Sequence, residues 1–299
     1  MTPIPAPYQA MTALAASAVP RAQIWRTVLG LILAAVFAGL IIAAVMVPLA
    51  FAIGPNQLQT RIAEVMNSGS PAAVIGLLYS FLPQMIALVL ATRLLLGRGP
   101  ASLTGPWGQL VRNFVKVSVP LMALWLVLMP LSLQGPDVHQ NMTLADLLPW
   151  LPAALLGLLI QTATEELLFR GYLQQQLAAR FSARWVWMGL PSLLFGLAHY
   201  APGQPPLVAG LTMLWAACFG LAAADLTART GNLGAGLALH FTNNISAILL
   251  VGVAGNLGGL TLYHVTLGPE DTDMMVLYLT LDGLALLVGW LIARLVLRR

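Results

Sequence analysis

Apolar residues in this chain come in long, nearly unbroken runs, and most polar residues collect between the runs. A helix crosses a bilayer with roughly 20 apolar residues. Eight segments fit or approach that length: Ile24–Ile53, Ala72–Leu96, Val115–Leu133, Leu147–Arg170, Trp185–His199, Leu207–Thr227, Leu233–Val253 and Met274–Leu297. The fifth is short. The stretches "GPN", "GRGP", "QGPD", "APGQPP" and "LGPED" separate them, and Pro and Gly are strong breaks between helices. The pattern predicts an all-α fold, a polytopic membrane helix bundle of about eight transmembrane helices. No internal repeat and no low-complexity tract interrupts it.

Four regions follow. Residues 1–23, with Pro3, Pro5, Pro7 and Pro20, read as a flexible N-terminal arm. They lack the form of a secretory signal, because Arg21 and Arg26 stand directly before a full-length span. Residues 24–146 hold the N-terminal transmembrane helices, 147–253 a polar-punctuated core, and 254–299 a loop and the last transmembrane helix.

Composition supports the membrane class. The chain is 59% hydrophobic and 8% charged, with mean hydropathy +0.85. A soluble domain carries about 25% charged residues. One cysteine, Cys218, excludes an internal disulfide and a multi-cysteine metal site. The net charge of +4 includes a single lysine and no dense basic run, so nucleic acid is not an expected partner. Membrane lipid is.

The basic residues bear on topology. With eight spans, one side holds Arg21, Arg26, Arg93, Arg98, Arg112, Lys116, Arg170, Arg180, Arg184, Arg229, Arg294, Arg298 and Arg299. Only Arg61 falls on the other side, together with Asp137, Asp146, Glu270, Asp271 and Asp273. Positive charge marks the cytoplasmic side. The expectation is an integral membrane protein with both termini cytoplasmic, in a bacterial inner membrane.

Three polar constellations break the apolar segments. In "TEELLFRGY", Glu166 and Arg170 are four apart and share a helix face. Glu165 is turned about 100° from Glu166 and addresses a different neighbour. "FGLAH" puts Phe195 and His199 on one face, and "HFTNN" does the same for His240 and Asn244. Each has a bland reading: a charged patch at the membrane border, a hydrogen-bonded structural histidine, and polar glue between helices. Together they form an inventory for activating water. A carboxylate takes a proton from water, and His and Asn donors hold a developing oxyanion. A carboxylate in a low-dielectric setting is the stronger base.

These residues resemble a family. "EELLFR" fits the E-E-x-x-x-R motif of the CPBP family, which includes CAAX prenyl proteases and bacteriocin-processing, Abi-type relatives. "FGLAH" fits its F-x-x-x-H motif and "HFTNN" its H-x-x-x-N motif. The resemblance covers about residues 147–253, making this the catalytic core. It implies an intramembrane endopeptidase of glutamate type acting on membrane-associated or lipidated peptides or proteins. Carried over, Glu165 is the general base, His199 helps activate the water, and His240 and Asn244 form the oxyanion site. Glu166 and Arg170 orient Glu165. No cofactor is expected. There is no H-E-x-x-H helix. The alternative is a zinc ion on Glu165, His199 and His240.

Depth gives a mixed picture. Counted from Leu147, Glu165 lies about 27 Å along its helix, and His240 about 10 Å along its own from the same side. His199 falls about 21 Å from that face. One repair lays "QQQLAARFSARWVW" along the interface, with Trp185 and Trp187 in an aromatic belt and a fifth span starting near Pro191. Asp225 is expected to bridge to Arg229 and Asp282 to find a partner or cap. Two other classes remain, a transporter and a non-catalytic scaffold that binds membrane peptides. The missing repeat weighs against the first, and the three intact motifs against the second.

Overall fold

The computed structural model describes residues 6–135, 137–254, 257–268 and 271–298. Residues 1–5, Pro136, Gly255, Asn256, Pro269, Glu270 and Arg299 lie outside the described residues. Pro3, Pro5, Glu270 and Arg299 from the sequence reading are among them. The chain builds α1 (Gln9–Ala15), α2 (Ile24–Ile53), α3 (Pro55–Asn67), α4 (Pro71–Tyr79), α5 (Leu82–Leu96), α6 (Pro100–Thr104) and α7 (Trp107–Ser132). Then come β1 (Val138–Gln140), α8 (Leu144–Leu147) and α9 (Leu151–Glu166), which runs through a π-helical stretch, Leu167–Gln174, into α10 (Gln175–Ala178). A second π-helical stretch, Trp185–Gly189, leads into α11 (Leu190–Ala198). After α12 (Pro206–Thr230), α13 (Gly234–Ile245) continues as π-helix over Ser246–Leu250. The chain ends with β2 (Val251–Val253), β3 (Tyr263–Val265) and α14 (Thr272–Leu297).

The fold is an all-α polytopic bundle, as expected. Six helices are long and apolar enough to cross a membrane: Ile24–Ile53, Pro71–Leu96, Trp107–Ser132, Leu151–Ala178, Pro206–Thr230 and Thr272–Leu297. The count of eight is met only by adding two shorter elements. Trp185–Ala198 is about 21 Å long, short of a ~30 Å hydrocarbon core. The seventh segment stops being helical at Leu250, because Val251–Val253 is drawn into a sheet.

That sheet is a small addition in the connections. β3 is central, antiparallel to β1 with His139 opposite His264, and parallel to β2. Three-residue strands are too short for alternation to register in a sequence. Asn141 ties the layer down by donating to the carbonyls of Gly258 (3.2 Å) and Thr261 (2.8 Å).

The N-terminal arm is not loose over its described part. It is helical from Ala6 to Arg21, and it buries Met11, Leu14, Ala15 and Ala18 at one-face spacing. These side chains pack with Leu177, Trp187 and Ala228. Tyr8 donates to Asp225 at 2.8 Å, inside the Asp225–Arg229 bridge of 2.8 Å that the spacing predicts. Trp290 Nε1 donates to the second Asp225 oxygen at 3.0 Å.

Arg98 is the other anchor. It is 3% exposed and donates to Ser17 Oγ, Gln176 Oε1, Gln175 Oε1 and the Ser102 carbonyl. Burial pulls its guanidinium down to about 10, so it stays charged at neutral pH. Gln174, Gln175 and Gln176 are fully buried around it and Trp187 is buried too. The expected interfacial helix over "QQQLAARFSARWVW" is therefore not formed. The glutamines find internal carbonyl partners at Ala224, Leu103 and Arg21, and of the two tryptophans only Trp185 faces outward.

Packing centres on the helix that carries the glutamates. Its most apolar stretch is 44% buried against 11% for Ile24–Ile53, which makes it the inner helix. α11 and α12 cross closely through small residues. A Cβ at Gly196 would lie 2.5 Å from the Met213 carbonyl, a contact no side chain tolerates. Asp282 finds neither hydrogen bond nor ion pair among the described residues, against the expectation of a partner.

Candidate active site

Glu165 and Glu166 close α9 where it turns into the π-helical stretch. π-Helical turns cluster at functional sites. Among the described residues the three such stretches lie in the three helices that carry the motifs.

Glu166 and Arg170 are paired at 2.9 Å, with side chains 0% and 2% exposed. Arg170 also donates to the Gly220 carbonyl at 3.2 Å and lies 4.8 Å over the Phe195 ring. A buried charge pair holds only when it is closely paired and further hydrogen-bonded. The same Glu166 oxygen meets His240 Nδ1 at 2.9 Å. A carboxylate paired with Arg170 accepts, so Nδ1 carries the hydrogen. That turns His240 Nε2 toward Glu165 Oε2, 3.5 Å away. α13 approaches closely enough because position 236 is Gly: a Cβ there would meet Glu166 Oε2 at 3.3 Å.

Glu165 has a different holder. Gln161, one turn earlier, donates to Glu165 Oε1 at 2.6 Å. The Gln161 carbonyl oxygen accepts from Asn244 Nδ2 at 2.8 Å. One polar chain thus runs Asn244–Gln161–Glu165, and a second Arg170–Glu166–His240. They meet where His240 Nε2 faces Glu165 Oε2. The first chain is the accessible one: Glu165 is 16% exposed while Glu166 is sealed.

His199 stands differently. It caps the end of α11, and its Nδ1 donates to the Phe195 carbonyl at 2.8 Å. No hydrogen bond joins it to Glu165 among the described residues. Its ring lies 4.4 Å from that of Phe195, which in turn lies 5.8 Å from His240. Phe195 is 1% exposed and also touches Phe169 and Phe219. It is the hub between the second motif and the other two.

The structure gathers Glu165, Glu166, Arg170, His240 and Asn244, with His199 joined through an aromatic ring. Two contributors escaped the sequence reading. Gln161 was visible only as an uncharged polar residue inside an apolar run. Phe219, with its ring 4.9 Å from His240, carried no signal at all. Among the described residues no group of three His, Cys, Asp or Glu side chains is arranged to hold a metal ion. Of Glu165, His199 and His240, the first and last are 3.5 Å apart, and His199 is joined to His240 through the Phe195 ring.

Residues 147–246 match the sequence profile of the Rce1-like family, described as type II CAAX prenyl endopeptidase Rce1-like. The matched third of the chain holds all three motifs. Over that third the chain is similar to CAAX-type peptidases, in line with the CPBP resemblance, and the bundle is that of an integral membrane protein. No curated protein and no solved structure matches the chain.

Proposed function

We propose that the chain is an intramembrane endopeptidase that hydrolyses membrane-associated or lipidated peptides with a water activated by Glu165, without a metal. The observation that carries this reading is the meeting of the two polar chains at Glu165 and His240. Gln161 occupies one Glu165 oxygen and leaves Oε2 free of any hydrogen bond. Oε2 takes the proton of a water, and the resulting hydroxide attacks the peptide carbonyl. Asn244 keeps one amide N–H for the oxyanion, because only the other is spent on Gln161. His240, held upright by Glu166, shares the Glu165 proton and passes it to the leaving amine. His199 borders the approach and orients the water through its free Nε2. In this reading Glu166 and Arg170 act on His240, and Gln161 does the orienting of Glu165 that the resemblance assigned to them.

The test compares the termini of membrane peptides from cells carrying wild type and Glu165→Gln. Hydrolysis typically falls by about 10²–10⁴-fold when a general base is lost. Termini that vanish in the variant identify the cleavage, and unchanged termini refute the proposal. Purified wild type treated with a chelator should keep its activity. An activity that chelation removes and zinc restores would recast Glu165 and His240 as ligands.

A further inference from the structure

A second polar site lies away from the glutamates, at the end of the bundle where α7 begins. A cavity of about 220 Å³ is lined by Gln109, Arg112, Asn113, Lys116, Thr230 and Leu297. The first four are spaced i, i+3, i+4 and i+7 along α7, so they form one face. Among the described residues no carboxylate lines the cavity. Among the described residues neither Arg112 nor Lys116 has an ion-pair partner. The polar neighbours that have partners look elsewhere: Asn113 donates to Asn232 at 3.2 Å and Thr230 to the Leu226 carbonyl at 2.8 Å. Two cations one turn apart, with free N–H groups around them, repel each other until an anion enters.

We propose that this cavity binds the phosphate of an anionic phospholipid. Arg112 offers a planar fork suited to two phosphate oxygens, and Lys116 a point charge about 6 Å further along the helix. The surroundings favour a lipid over a free phosphate. Trp107, 71% exposed, stands less than a turn before Gln109, where indoles mark the membrane–water boundary. Beside the cations, Val111, Val115 and Val119 form an exposed stripe at i, i+4 and i+8, with exposures of 40%, 53% and 66%. That stripe leads away from the cavity along the outer face of α7, as an acyl chain would. Leu297 supplies an apolar wall for the glycerol backbone. Basic pockets between membrane helices recognise such headgroups.

The test uses the full chain in neutral detergent, titrated with mixed micelles of phosphatidylglycerol or phosphatidylcholine. Retained lipid is counted by native mass spectrometry. Wild type should retain phosphatidylglycerol selectively, and less of it as salt rises. The double variant Arg112→Gln/Lys116→Gln should bind it about 30-fold more weakly. Arg61→Gln, an exposed cation at 63%, should behave as wild type. The single variant Lys116→Gln should give an intermediate loss, which guards against misfolding of the double. Equal retention by the double variant, or no preference for phosphatidylglycerol in wild type, overturns the proposal. Millimolar inorganic phosphate should leave the lipid bound; if it displaces the lipid completely, the ligand is a soluble phosphate and the lipid assignment fails.

Discussion

At the scale of single residues, the two adjacent glutamates do separate work, and the separation is physical. Glu166 has its Oε1 held by both Arg170 and His240 and no exposure. Glu166→Gln leaves Arg170 unpaired in a dry setting, a loss of about 3–5 kcal/mol for a buried pair. Thermal unfolding in detergent should drop well below wild type, whereas Glu165→Gln should melt like it. If Glu166→Gln is stable but inactive while Glu165→Gln still cleaves, the two roles are reversed. Gln161 allows a finer test. A hydrogen bond to a charged group contributes about 1.5–3 kcal/mol, or about 10–100-fold in rate if it acts only in the transition state. Gln161→Leu should lower kcat by that factor with KM unchanged. A variant with normal kcat shows that Glu165 does not need this holder. The charged and histidine members of the site were legible because polar groups in apolar segments stand out. Gln161 was not, since its meaning lies in reaching both Glu165 and Asn244, and a spacing of 83 residues to the latter leaves no local trace.

At the scale of elements, long apolar runs announced their helices, and helix ends fell where Gly and Pro sit. The short pieces did not show. The sheet consists of three strands whose pairing is entirely non-local. The arm was misread because its prolines suggested looseness, while the Met11–Leu14–Ala15–Ala18 spacing already marked a buried face. The π-helical stretches depend on tertiary packing and leave no periodic signature. One crossing positions the second motif: α11 on α12, where Gly196 meets the Met213 carbonyl. Gly196→Ala forces the helices apart and should cost about 1–3 kcal/mol. It should also lower hydrolysis, because Phe195 and His199 move with α11. Gly210→Ala, in the same crossing partner but with nothing within 4 Å of its added methyl, should be neutral or slightly stabilising. Equal melting of the two variants would show that the crossing is not tight.

At the scale of the whole molecule, connectivity decides how often the chain traverses the bundle. α12 ends at Thr230, and Gly231 packs on Ala10 of the arm. Its 25 residues are full span length, so Pro206 lies at the far end. The chain leaves the arm's neighbourhood at Trp187, which packs with Met11, so Trp185 to Pro205 must carry it across. α13 starts with Gly234 against the Leu110 carbonyl, near the start of α7, and ends in β2 of the sheet. Added to the six long helices, these two short ones bring the candidate traverses to about eight. Short, broken helices are tolerated at membrane depth where they line a cavity rather than lipid, which suits a site that must admit water. We propose from the positive-inside pattern that the arm, Arg98, Arg112 and Arg180 face the cytoplasm. Reporter fusions after Arg299 and at Arg180 should both read cytoplasmic. Fusions within residues 134–146 and within 200–205 should both read external. The 200–205 fusion is the discriminating one. A cytoplasmic reading there would mean that Trp185–Ala198 turns back without crossing, and His199 would then have to approach Glu165 from the cytoplasmic side.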